Sequence, residues 1–182
     1  MSKLKRLVEN YGNYIATPWS EAAAAQRVIF CVYNENDELR LRVSIDEFEL
    51  VTKAKGHQWC HFDLTNTFAD WLASQKYAKS YFQKPQLINT LLPKYAEYIA
   101  AQFKEYIEQA GADHGTVVAV SGVGSLFGFQ KVKDIVDKLA PMVPGRLLVF
   151  FPGSYENNNY RLLDGYDGWN YLAVPITAEK IY

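Results

Sequence analysis

Cysteine is scarce: the 182 residues hold two, Cys31 and Cys60, enough on count for a single disulfide, though nothing points to an oxidising compartment. Each sits inside an apolar run, so both read as buried, reduced thiols on neighbouring strands. No stretch approaches the ~20 consecutive apolar residues of a membrane span. The opening residues, MSKLKRLVENYGNYI, set charges among apolar side chains at helical spacing. They lack the unbroken apolar core and cleavage site of an export signal, so an amphipathic helix is expected there, and a cytoplasmic location by elimination. Net charge is missing as well. Nineteen basic residues against 20 acidic ones leave −1, which supplies no field to attract a phosphate backbone and argues against direct nucleic-acid binding. Histidine is limited to His57, His61 and His114.

Apolar patterning is what the chain does have. At 182 residues it fits one domain, able to bury well over half of its unfolded surface without a staple. Arg27-Val-Ile-Phe-Cys-Val-Tyr33, His57 to Asp63, Thr116 to Ser121, Gly145 to Phe151 and Tyr171 to Ile176 read as strands. Most are apolar throughout, as strands covered on both faces are. Between them lie helical stretches. One runs to Lys55 with Val43, Phe48, Leu50 and Val51 as its apolar positions and Gly56 as its stop. A second follows Thr65, which suits an N-cap, and carries Phe68, Trp71 and Leu72. A third spans Gln86 to Ala110 with a fresh start at Pro93, and a fourth runs from about Phe129 to Ala140. Ser154 to Asn159 reads as the polar opening of a long connection. The alternation predicts an α/β fold: a three-layer Rossmann-like or degenerate P-loop-like domain, with a mainly parallel sheet of about five strands and helices on both faces. It comprises one domain over 1–182, with 1–25 a helical segment packed on it.

In such sheets the functional crevice lies beyond the carboxyl ends of the strands. That places Asp63, Ser121, Gly122, Gly124 and Gly153 around a candidate ligand crevice. The turn Gly122-Val-Gly-Ser-Leu-Phe-Gly128 follows a strand and precedes a helix, as a phosphate cradle does. A P-loop needs lysine and then serine or threonine after its last glycine, and Phe129 and Gln130 stand there instead, so a tight structural turn is the plainer reading. His57, His61 and Asp63 share one strand face, but the histidines are roughly 13 Å apart, too far to grip one ion. Asp164-Gly and Asp167-Gly are turn formers before they are a carboxylate dyad. No serine triad can be assembled around Ser121. Lys76, Lys79 and Lys84 cluster, as do Lys131, Lys133 and Lys138, and a solvated helix face accounts for both. No catalytic residue, metal site or cofactor is therefore assigned. Aromatic residues make up 15% of the chain. Tyr155, Tyr160, Arg161, Asp164, Tyr166 and Trp169 form a tyrosine-, tryptophan- and arginine-bearing segment of the composition that interface anchors favour.

One resemblance runs through these segments. Gly122 to Phe129, Gly145-Arg-Leu-Leu-Val-Phe-Phe-Pro-Gly153, Asn159-Tyr-Arg-Leu-Leu-Asp164 and Asp167 to Thr177 resemble the BrxB family of BREX phage-defence systems. Phe30 to Tyr33, Asp46 to Glu49 and His61 to Thr65 are similar too. The Phe-Phe-Pro-Gly and Tyr-Arg-Leu-Leu-Asp elements carry most of the likeness. The resemblance implies a small accessory component working beside a DNA methyltransferase, a large ATPase and the phosphatase-like PglZ, without catalytic residues of its own. PglZ is the leading implied partner.

Overall fold

The computed structural model describes residues 1–20, 23–165 and 168–180. Strand β1 (Val28–Tyr33) is buried at every position, as an unbroken β-branched and aromatic run requires. Alternate side chains enter different layers. Ile29, Cys31 and Tyr33 meet helices α1 (Lys3–Ile15) and α2 (Glu38–Ala54). Val28, Phe30 and Val32 meet the opposite layer. That layer holds α3 (Thr67–Ala73), α5 (Leu92–Gln109) and α6 (Val132–Leu139). The short α4 (Ala78–Gln83) lies between α3 and α5 in the chain.

Around β1 the sheet runs β2–β3–β4–β1–β6, with β2 (Gln58–Asp63), β3 (Thr116–Ser121), β4 (Arg146–Glu156) and β6 (Val174–Ile176). Every pairing along this order is parallel. The expected three-layer, mainly parallel α/β sheet is what the chain forms. Strand β6 can hold Pro175 because it pairs only with β1, at an edge. The β1-to-β2 connection crosses on the α2 side, whereas those from β2 to β3 and from β3 to β4 cross on the α5 and α6 side. Direction therefore reverses between β1 and β4, the switch point at which doubly wound sheets open a crevice.

Several local expectations change. Cys31 and Cys60 are not on neighbouring strands: β3 and β4 separate them, and they enter opposite core layers as free thiols. Of the apolar positions named on α2, Phe48 is buried but Val43 and Leu50 are exposed, because Leu41, Ile45 and Thr52 complete the inner face instead. Asn66, not Thr65, stands at the N-cap of α3, since the Thr65 hydroxyl is held by Asp63. The segment after Phe151 is no open connection. Strand β4 continues to Glu156 and turns back as antiparallel β5 (Asn159–Leu162). The two-residue turn is Asn157-Asn158, both at positive φ (51° and 64°), the mirror-image turn that matches strand twist and that asparagine tolerates.

Candidate functional site

The candidate crevice residues fall into two places. At the ends of β2 and β3, Asp63 Oδ1 accepts hydrogen bonds from Thr65 N at 2.9 Å and Thr65 Oγ1 at 2.6 Å. Arg42 Nη2 donates to Thr65 Oγ1 at 3.0 Å. Burial pushes the Asp63 carboxyl up, but the Thr65 hydrogen bonds, with Arg42 and His61 nearby, outweigh it and hold the group below its ordinary range. Gly122 lies against this turn at φ +77°, and a Cβ there would stand 2.5 Å from Thr65 Oγ1 and 2.7 Å from Thr65 N. The glycine turn continues as a 3₁₀ segment that buries Val123 and Leu126. Ser125 Oγ donates to the Gly122 carbonyl at 2.6 Å, closing the turn on itself. The Ser125 backbone N–H donates to the same carbonyl at 3.0 Å.

Sequence reasoning missed one pairing at this edge. His61 Nε2 lies 2.7 Å from Ser121 Oγ, brought there by the parallel β2–β3 register that sets Asp63 beside Ser121. Burial lowers the His61 pKa from its ordinary value, partly offset by Asp63, Glu49 and Asp46. Ser121 is itself buried. His57 takes no part: its ring stacks on Trp19 at 3.7 Å and 7°. Among the described residues no group of three or more His, Cys, Asp or Glu side chains comes together as a metal site would require.

The second place is the switch point. A cleft of 420 Å³ opens between the ends of β1, β4 and β6, and Gly153 contributes to its wall. The loop after β1, Asn34 to Asp37, contains no glycine or lysine. The cleft's charged side chains are Lys3, Asp37, Glu156 and Glu179, and Lys3 lies 3.5 Å from Glu179. An acidic cleft of this kind disfavours a phosphate. Gly124 does not reach it; a Cβ at Gly124 would meet Pro152 and Leu163.

The aromatic segment divides differently. Tyr160 is fully buried, with ring centroids of Tyr155, Phe30, Trp169 and Phe151 at 4.6, 4.8, 5.6 and 5.7 Å. Its hydroxyl donates to the Ala173 carbonyl at 3.1 Å. Trp169 is half-buried and pairs its backbone with that of Tyr160 in both directions. Tyr155 is half-buried, while Arg161 and Asp164 are exposed and form no ion pair among the described residues. Tyr166 and Asp167 lie outside the described residues. Gly153 is what lets the hairpin start, since a Cβ there would stand 1.9 Å from the Arg161 carbonyl oxygen. Two further apolar groups are exposed: Tyr77, Phe82 and Leu87 beside the lysines of that stretch, and Leu39, Val43 and Leu50 on α2. Periodicity marks a residue as apolar but does not tell which stripe of a helix turns outward.

No helix among the described residues is long and apolar enough to cross a membrane. Neither the curated proteins nor the solved structures contain a match to the chain. The family model described as BREX protein BrxB matches residues 61–175, from β2 through β6, including the glycine turn and the β4–β5 hairpin. That match covers more than half of the chain, and the protein belongs to the BrxB family of BREX phage-defence components.

Proposed function

We propose that the chain is a non-catalytic adaptor that assembles with other BREX proteins through the β4–β5 hairpin and its rim. PglZ is the first partner, with the large ATPase and the methyltransferase as the others to test. One observation carries this reading: β4 overshoots the sheet into a hairpin whose base is locked by buried aromatic rings, while Arg161 on it and Asp164 just beyond it stand exposed and without an ion pair among the described residues. A rigid aromatic base with a polar rim is how interface anchors are built. Tyr160 supports the surface from below, and Tyr155, Arg161, Asp164 and the edge of Trp169 make the contact. The test mixes the purified chain with PglZ from the same gene cluster and measures affinity by calorimetry. Arg161→Glu and Asp164→Arg each weaken binding at least tenfold, about 1.4 kcal/mol, with the thermal midpoint kept. Variants that bind as tightly as the wild type remove the hairpin as the contact. Absence of a complex with all three partners removes the adaptor.

A second reading, a ligand-binding sensor or enzyme at the carboxyl edge, draws on the His61–Ser121 pair at 2.7 Å and on neighbouring Asp63 and Gly122. A neutral histidine beside a serine hydroxyl is the start of a nucleophile–base pair. Thermal shift with ATP, GTP, NAD and cyclic nucleotides separates the two. A ligand at 100 times its dissociation constant adds about 2.7 kcal/mol, or about 5–11 °C for a chain of this size. A flat panel leaves this reading without a ligand.

A further inference from the structure

Helix α2 is apolar on two sides. Leu41, Ile45 and Phe48 pack into the core, while Leu39, Val43 and Leu50 are 78%, 82% and 67% exposed. At 3.6 residues per turn these three fall within about 40° of one another, in a stripe along the side of the helix that faces away from the core. Aliphatic side chains lined up in this way are not the scattered exposure of an ordinary surface. The spacing 39, 43, 50 is that of a two-helix seam, with Asp46 in the remaining position.

The flanks of the stripe identify what covers it. Arg40 stands on one flank with its side chain 81% exposed, reaching only Asp37 at 3.4 Å. Glu47 lies on the same flank two turns later, exposed and outside every ion pair among the described residues. On the other flank Arg42 and Glu49 repeat the order of basic then acidic, although Glu38 and Lys53 engage them within the chain. When two copies of such a helix pack antiparallel, each flank faces the same flank of its partner. Arg40 then meets Glu47, and Leu39 lies over Leu50. Within each flank the charge order is complementary to itself in the antiparallel sense, which is the isologous condition for a two-fold contact. Beside the stripe, between the amino ends of α1 and α2, lies a mostly apolar groove of 470 Å³.

We propose that this face binds a second copy of the chain through an antiparallel α2–α2 contact. The 17-residue helix is about 25 Å long. With the groove it covers on the order of 500–600 Å² per copy, below the ~800 Å² of a standard interface, so the dimer dissociates on dilution in the micromolar range. The proposal stands independently of the adaptor reading, and α2 lies outside the residues matched to the family.

Sedimentation velocity on the full chain, from about 1 to 200 μM, reads the equilibrium. The wild type shifts from monomer to dimer across that range, and Val43→Glu raises the dissociation constant at least tenfold; Val43→Ser serves the same purpose should the glutamate variant fail to fold. Arg40→Glu and Glu47→Arg each weaken the dimer about fivefold, and the double swap restores it. A chain that stays monomeric at the highest concentration overturns the proposal. So does a dimer indifferent to Val43, or a pair of swaps that weaken singly and fail to restore together.

Discussion

Tyr160 separates the structural part of the aromatic segment from its exposed part, and its cost can be worked from its surroundings. The side chain is 0% exposed and touches rings from β1, β4 and the strand-like residue Trp169. Truncating a buried aromatic to alanine costs about 3–5 kcal/mol through lost transfer energy and the cavity left behind. The edge-on geometry to Phe30 (61°) and Phe151 (74°) argues for the upper half of that range. Tyr160→Phe keeps the ring and loses only the hydroxyl's bond to the Ala173 carbonyl, about 1 kcal/mol. Against a total of about 5–15 kcal/mol, the alanine variant loses at least about a quarter of the stability. Its thermal midpoint falls by about 10–15 °C and that of the phenylalanine variant by about 2–4 °C. Urea unfolding followed by circular dichroism measures both. If Tyr160→Ala loses less than about 1 kcal/mol yet abolishes partner binding, the ring is a contact residue and its burial has been misjudged.

Two further perturbations test the carboxyl edge. Gly122→Ala meets Thr65 N, Thr65 Oγ1 and Asp63 Oδ1 at 2.5–2.7 Å from a backbone at φ +77°, so it destabilises by about 2 kcal/mol or more, read in the same urea assay; a neutral result shows that the Asp63–Thr65 turn yields without cost. His61 has a folded pKa below its ordinary 6.5 because burial penalises the charged form. The unfolded chain therefore binds the proton first, and stability is complete above about pH 6.5 and declines as the pH falls from there through the folded value. His57, lowered chiefly by burial against Trp19, adds the same sign. Thermal midpoints at several pH values between about 7.5 and 5 should show a shallower decline in His61→Gln than in the wild type, and identical curves would remove His61 as a source.

Much of the architecture was legible because burial on both faces leaves a sequence mark. β1, β3 and the first part of β4 are apolar at consecutive positions, and each ends at a polar or glycine-bearing break. Strand order left no such mark. Cys31 and Cys60 sit in similar runs, and nothing local says that β3 and β4 lie between them. The hairpin was readable from Asn157-Asn158, the residue type that tolerates positive φ twice in succession, but its polarity resembles that of a loop. Tyr160 and Trp169 show a deeper limit. Tyrosine and tryptophan suit both core and interface, so composition cannot sort them, and the sorting came from the β4–β5 register that turns Tyr160 inward and Arg161 outward. His61 and Ser121 are 60 residues apart and meet only because β2 and β3 are parallel neighbours.

The carboxyl edge also constrains which functions are compatible. A doubly wound sheet opens its crevice where β1 and β4 diverge, and a phosphate site there needs backbone N–H groups presented by a glycine-rich loop together with a cation. This chain puts Asn34-Glu-Asn-Asp37 in that loop and pairs Lys3 with Glu179. Its glycine turn follows β3 instead, where Ser125 closes onto the Gly122 carbonyl and residues 122–128 include no lysine or arginine. At the same edge β4 runs on past the sheet, so the space a ligand would approach is flanked by the hairpin. Under the adaptor reading these features belong together. An edge whose glycine turn carries no cation can support a projecting arm, and the aromatic base explains why so many large rings are spent on a four-residue strand. The same logic separates the two surfaces proposed above. The hairpin rises from the carboxyl edge within residues 61–175, whereas the α2 stripe lies along one layer of the fold, so one copy can meet a partner through the first while pairing through the second.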